Sequence, residues 1–200
     1  MEFIKWVIYA SIYVGLIATS FFVLSFLFGK KQKLPLFTDN ELPKVSVLIP
    51  AFNEESSIAQ TIESIIAVDY PKNKLEVIVI DDGSKDKTLE IAEKYKSKLV
   101  KVFHKENAGK GAALNFALAK VKNNFVGSMD ADTYVAPESL KEMMRYFKDE
   151  KVMCVCPAMV ISKPNSFLQR VQYVEYLTGL FLRKAFASVN AIHITPGAFS

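Results

Sequence analysis

The chain is poor in the residues that build metal clusters and disulfide frameworks: its 200 residues include two cysteines and two histidines. Cys154 and Cys156 stand one residue apart in "VMCVCPAMVI". A zinc site needs further Cys or His partners at ligand spacing, and none is nearby. The run reads as a strand with both thiols on one face, buried and reduced, which fits a reducing compartment. His104 and His193 have no evident ligand partners and read as structural. No internal repeat or low-complexity segment is present. Nor is there a basic block with interleaved aromatics, since the net charge of +4 comes from Lys and Arg spread along the chain. Nucleic-acid binding therefore has no electrostatic footprint. A Walker-type phosphate loop is also missing: in "AGKG", Gly111 follows Lys110 where Ser or Thr is required.

What is present begins with a long apolar run. "WVIYASIYVGLIATSFFVLSFLFG", residues 6–29, carries no charge. It is long enough to cross a hydrocarbon core of about 30 Å, and too long for the apolar core of a signal peptide. Lys30, Lys31 and Lys33 follow at once, against Lys5 on the other side. Residues 1–29 are thus expected to form a transmembrane helix, with everything after residue 30 in the cytoplasm. Residues 30–43 hold two prolines and no clear period, and read as a linker.

From residue 44 the pattern alternates. "KVSVLIP" suits a strand buried on both faces. "EESSIAQTIESIIAV" has Ile58, Ile62, Ile65 and Ile66 at helical spacing. "LEVIVI" is a second strand, and "SKDKTLEIAEKYK" a helix opened by Ser84 or Asp86. "LVKVF" is a third strand, "GKGAALNFALAKV" a third helix and "FVGSM" a fourth strand. Pro137 is placed to start a further helix, and "KVMCVCPAMVI" reads as a fifth strand. This alternation predicts an α/β domain over 44–164, a mostly parallel sheet with helices on both faces. Residues 165–189 read as an amphipathic helix that could lie on a bilayer or pack on the sheet.

The polar residues are sorted rather than scattered. "PAFNEE", "DDGSKD", "HKENAGKG" and "MDADT" each follow a strand, so all four loops fall at carboxyl ends, where open sheets of this type bind ligands. Pro50 ends the first strand without needing a ladder donor. Asp82, before the turn residue Gly83, can accept from ribose hydroxyls or a nucleobase N–H. Lys110 offers a cation to phosphate oxygens. Asp130 and Asp132 would repel each other by about 3 kcal/mol at 6 Å and an effective dielectric of 20. They supply hard oxygen ligands of the kind that Mg²⁺ or Mn²⁺ prefers, with waters and substrate phosphates completing the shell.

The ordered set "PAFNEE", "DDGSKD", "NAGKGAALN" and "MDAD" resembles glycosyltransferase family 2, over roughly residues 44–200. Together with the segment from "QRVQYVEY" to "PGAFS", it is most similar to the membrane polysaccharide synthases of the poly-N-acetylglucosamine, hyaluronan and chitin type. The resemblance implies a GT-A (Rossmann-like) fold and inverting, metal-dependent transfer of a sugar, UDP-GlcNAc being one candidate donor, to a glycan or lipid-linked acceptor at the cell membrane. It implies that Phe52 and Glu54 line the uridine site and that Asp82 binds the base or ribose. Lys110 would reach the phosphates, Asp130 the sugar or phosphates, and Asp132 the metal. Thr195, Pro196 and Gly197 would lie near the acceptor, so residues 165–200 are expected to combine an interfacial helix with the start of the acceptor region. The family's general base is expected beyond Ser200, downstream of "PGAFS", and further spans are expected after it. These 200 residues are therefore expected to bind donor but transfer little sugar. A dolichyl- or undecaprenyl-phosphate acceptor, and a noncatalytic nucleotide-sugar-binding membrane subunit, remain open alternatives. A signalling receiver domain also gathers acids and a lysine at strand ends, but places its acid pair after the first strand rather than the second.

Overall fold

The computed structural model describes residues 2–28, 34 and 37–187. The chain divides into two compact units. The first contains two long helices and the second a sheet flanked by shorter ones. Lys30, Lys31, Lys33, His193 and the proposed acceptor residues Thr195, Pro196 and Gly197 lie outside the described residues. So does Ser200, the residue beyond which the general base is expected.

In the sheet unit, β1 (Val45–Ala51), β2 (Leu75–Asp81), β3 (Val100–His104) and β4 (Phe125–Ser128) pair in the order β3-β2-β1-β4. Every pairing is parallel. The register sets Val45 opposite both Leu75 and Phe125, and Val77 opposite Val100. All seven residues of β1 are buried, as its central position and near-continuous apolar sequence require.

Successive side chains of a strand point to opposite faces, and two separate cores result. Val45, Val47 and Ile49 of β1, with Val77 and Val79 of β2, form one with Ile58, Ile62 and Ile65. Those isoleucines are the buried stripe of α2 (Ile58–Ile66), spaced to fall on a single helical face. Ala92 of α3 (Thr88–Glu93) and Leu140, Met143 and Met144 of α5 (Ser139–Tyr146) join the same core. On the other face, Leu48, Ile78 and Ile80 meet Ala113 and Ala117 of α4 (Lys110–Leu118). Small residues on α4 let its backbone lie close to the strands. The α/β sheet with helices on both faces is thus as expected.

Three expectations need correction. Residues 151–161 form no strand. Apolar alternation there resembles a strand, but a strand exists only through a ladder partner, and Pro157 cannot donate to one. Met153 and Val160 face solvent, while Val155 packs against the main core. Consequently Cys154 is exposed and Cys156 half-buried, not two buried thiols on one face. Finally, α5 begins at Ser139, with Pro137 in the preceding turn, and α3 begins at Thr88, later than its local polarity suggests.

The other unit holds α1 (Glu2–Phe28) and α6 (Phe167–Ala187). α1 buries no residue, and its 27 residues are long and apolar enough to cross a membrane. Near its C-terminal end, Phe21, Phe22 and Phe26 meet Phe181 and Phe186 of α6, with ring centroids 6.0 to 6.3 Å apart. The faces of α6 are not cleanly divided. Arg170 and Phe181 lie about three turns apart and share a side.

Candidate active site

Parallel pairing brings Ala51, Asp81 and His104 side by side at one end of the sheet. Beyond that rim is an open cleft of about 250 Å³. Pro50, Phe52 and Glu54 line it from the loop after β1, Asp82 from the loop after β2, and Lys110 from the start of α4. Asp130 and Asp132 line it from the loop after β4. Seven residues singled out by sequence therefore surround one space.

The first two loops are stitched together by reciprocal bonds. Asn53, in the left-handed region at φ 55°, accepts from Lys85 N–H through its side chain at 2.9 Å. Its own N–H donates to Ser84 Oγ at 3.0 Å. Glu54 N–H donates to the buried Thr88 hydroxyl at 2.7 Å, Glu55 N–H to Asp86 at 3.1 Å, and Lys87 N–H back to Glu55 at 3.0 Å. Asp86 also accepts from Thr88 N–H at 3.0 Å, but the residue at the cap position of α3 is Lys87, so neither Ser84 nor Asp86 caps the helix as expected. Burial pushes the Asp86 carboxyl up, but the Thr88 hydroxyl and the N–H groups of Thr88 and Glu55 outweigh it and hold the group below its ordinary value.

Asp82 anchors the third loop. Its buried carboxylate accepts from Lys105 Nζ at 2.5 Å, Ala108 N–H at 3.2 Å and Gly109 N–H at 2.8 Å. Burial again acts upward, and those three donors overcome it to hold Asp82 low. The adjacent Gly83 has φ 76°, and a Cβ there would stand 2.8 Å from Asn107 N. Only glycine fits that approach without displacement. Beside it, the fully buried Asp81 pairs with His104 Nδ1 at 2.6 Å, a partner that the sequence did not reveal.

The acidic loop is held from beneath by α2. The hydroxyl of Thr61, fully buried, donates 2.7 Å to the carbonyl of Ala131, the residue between Asp130 and Asp132. Val135 N–H donates to Ser64 at 3.2 Å. Asp130 is half-buried and accepts from Lys110 Nζ at 2.5 Å, while Asp132 is exposed. Among the described residues no group of three or more His, Cys, Asp or Glu side chains gathers as a metal cage. Two hard carboxylates in one cleft fit a divalent cation whose remaining ligands come from water and a diphosphate, as Mg²⁺ commonly takes them.

A parallel sheet flanked by helices, with its polar loops gathered beyond the carboxyl ends, has the architecture of the GT-A fold. The family profile of glycosyl transferase family 2 matches residues 46–200, and the chain belongs to that family. It is 37% identical over 109 residues to poly(ribitol-phosphate) beta-N-acetylglucosaminyltransferase TarS of Staphylococcus aureus strain Mu50, covering 53% of this chain and 19% of that one. It is 30% identical over 173 residues to poly-beta-1,6-N-acetyl-D-glucosamine synthase of S. aureus strain COL, covering 84% of this chain and 42% of the other. The chain thus spans less than half the length of either relative. Among solved structures, the mannosyltransferase PcManGT of Pyrobaculum calidifontis, in complex with GDP-Man and Mn²⁺, shares the fold at a TM-score of 0.71. That match covers 95% of this chain and 52% of the other at 24% identity.

Sequence reading missed the supports of the site. Thr61 sits in an apolar helix, where nothing local marks its hydroxyl as useful. Asn53 and Lys105 are visible only as polar residues in loops and Thr88 only as a polar residue at a helix start, and their partners are 23 to 34 residues distant. Two outcomes follow. Replacing Thr61 by Val leaves the Ala131 carbonyl without its donor and should cost about 1–3 kcal/mol. Urea unfolding would show this, and an unchanged midpoint would contradict the support. Because Asp82 and Asp86 are held low, their contribution to stability is present above their ordinary value of 3.8 and is lost as pH falls through the lower folded values. The urea midpoint should drop as pH falls from about 5 through 3.8 and below, and Asp86→Asn should flatten the decline; an unaltered slope would rule out its share.

Proposed function

We propose that the chain is the donor-binding part of a membrane-anchored, inverting glycosyltransferase that takes a UDP-sugar. The observation that carries this reading is the single cleft in which Phe52, Glu54, Asp82, Lys110, Asp130 and Asp132 meet. Family membership and two relatives named for N-acetylglucosamine chemistry support UDP-GlcNAc as the donor and a growing polysaccharide or other glycan as the acceptor. The half-exposed Phe52 offers a ring face for a uracil, and Asp82 an acceptor for a base or ribose hydrogen.

In the reaction, an acceptor hydroxyl attacks the anomeric carbon while the nucleoside diphosphate leaves from the opposite face. Lys110 places an ammonium where negative charge grows on the leaving diphosphate. Asp130 now shares that ammonium and is set to meet the sugar or the phosphates. Asp132, with Asp130, would hold Mg²⁺ or Mn²⁺, which supplies further stabilisation of the leaving group when bound. Transfer also needs a carboxylate to take the acceptor's proton. In this reading Thr195, Pro196 and Gly197 serve the acceptor side, and none of the cleft carboxylates is assigned as that base.

Membrane attachment belongs to the same proposal. α1 would span the bilayer, with the sheet domain in the cytoplasm behind Lys30, Lys31 and Lys33. The apolar residues that α6 exposes, among them Phe167, Val171 and Val174, suit contact with membrane lipids.

Isothermal titration tests the donor site. UDP should bind the folded chain, and more tightly with Mn²⁺ present. Asp132→Ala should remove the Mn²⁺-dependent gain, a loss of tenfold or more in affinity, equal to about 1.4 kcal/mol. A folded sample that gives no heat with UDP would refute the donor site. An Asp132→Ala variant that keeps the full Mn²⁺ effect would refute the role given to that residue.

A further inference from the structure

The loop between β3 and α4 contains a cation that lies outside the cleft lining. Lys105 is half-buried, and its ammonium donates both to Asp82, at 2.5 Å, and to the Glu106 carbonyl. The same carboxylate receives the N–H groups of Ala108 and Gly109. Gly109, at φ 89°, is the last residue before α4, and Lys110 opens that helix and reaches Asp130. Bonds to Asp82 therefore pin both ends of residues 105–109. On the other side, Gly83 packs against Asn107 too closely to admit a Cβ. The loop has little slack, and the start of α4 inherits its position.

Charge gives this clamp a second consequence. The Asp82 side chain is 4% exposed, and an ionised carboxylate at that depth is costly unless a cation answers it. Lys105 supplies that cation. Were it removed, the cation that lines the cleft beside Asp82 is Lys110, on a side chain long and mobile enough to turn toward it.

We propose that Lys105 is a positioning residue of the donor site: by clamping the 105–109 loop and neutralising Asp82, it keeps Lys110 directed at the diphosphate. The inference rests on the reading of the cleft as a nucleotide site, and it gives Lys105 no contact with the substrate.

A double-mutant cycle on UDP affinity, measured by calorimetry with Mn²⁺, tests it. Lys105→Met should weaken UDP binding about tenfold, and Lys105→Arg should recover most of the loss. In a Lys110→Met background, Lys105→Met should change affinity by less than twofold, because the group it positions is gone. Wild-type affinity in Lys105→Met, or losses that simply multiply in the double variant, would overturn the proposal. Amide hydrogen exchange tests the clamp without nucleotide. Ala108 and Gly109 should be protected in the wild type and exchange at least tenfold faster in Lys105→Met, and equal rates would also overturn it. If Lys105→Met does not fold, Lys105→Gln takes its place in both measurements. A wild type that binds no UDP but shows the protection would overturn the reading of the cleft and leave the clamp standing.

Discussion

Four strands that all run the same way have all their carboxyl ends on one edge. The rest of the sheet domain depends on this constraint. Parallel pairing needs crossovers, the crossovers here are helices, and a helix returning the chain to the far edge leaves a loop at the near one. Polar residues that are far apart in the sequence then become neighbours with no direct attraction between them. Asp82, Lys110 and Asp132 share a cleft because β2, β3 and β4 end there.

Topology delivers the loops to the rim but does not shape them. That task falls to hydrogen bonds between side chains and backbone. Asn53, Glu55, Ser84, Asp86 and Thr88 tie the first loop to the second. Asp82 ties the second to the third, and Thr61 ties the fourth to the helix below. Each bond satisfies a backbone group that a short polar loop would otherwise leave to water. The side chains of Asn53, Glu55, Ser84 and Asp86 are thus spent on the loops themselves, while Glu54 faces the cleft. The residues left to meet a ligand are those that face the cleft, and their order follows the strands they end.

The strands β1 to β4, the helices between them and the convergence of four polar loops were legible in the sequence, because apolar runs, helical periodicity and turn residues are local signals. The run at 151–161 shows where local signals stop. Its alternation satisfied the pattern of a strand, but pairing is a property of two segments, and Met153 and Cys154 ended in solvent. The cleft residues Asp82, Lys110, Asp130 and Asp132 could be named because charge at a strand end is conspicuous. Lys105 could not be told from any other loop lysine, since its value depends on a carboxylate in the preceding loop. Thr61 was hidden for the opposite reason: a hydroxyl on a buried helical face looks like tolerated polarity until the carbonyl it serves is known.

The central claim is that one rim, built from four loops, holds a nucleoside diphosphate together with a divalent cation. The most direct measurement is a crystal structure of the chain grown with UDP and Mn²⁺, with anomalous scattering used to find the manganese. The account predicts a manganese peak bonded to Asp132, UDP phosphates beside Lys110, and the base between Phe52 and Asp82. Ordered UDP bound elsewhere on the sheet domain, with manganese away from both Asp130 and Asp132, would contradict it.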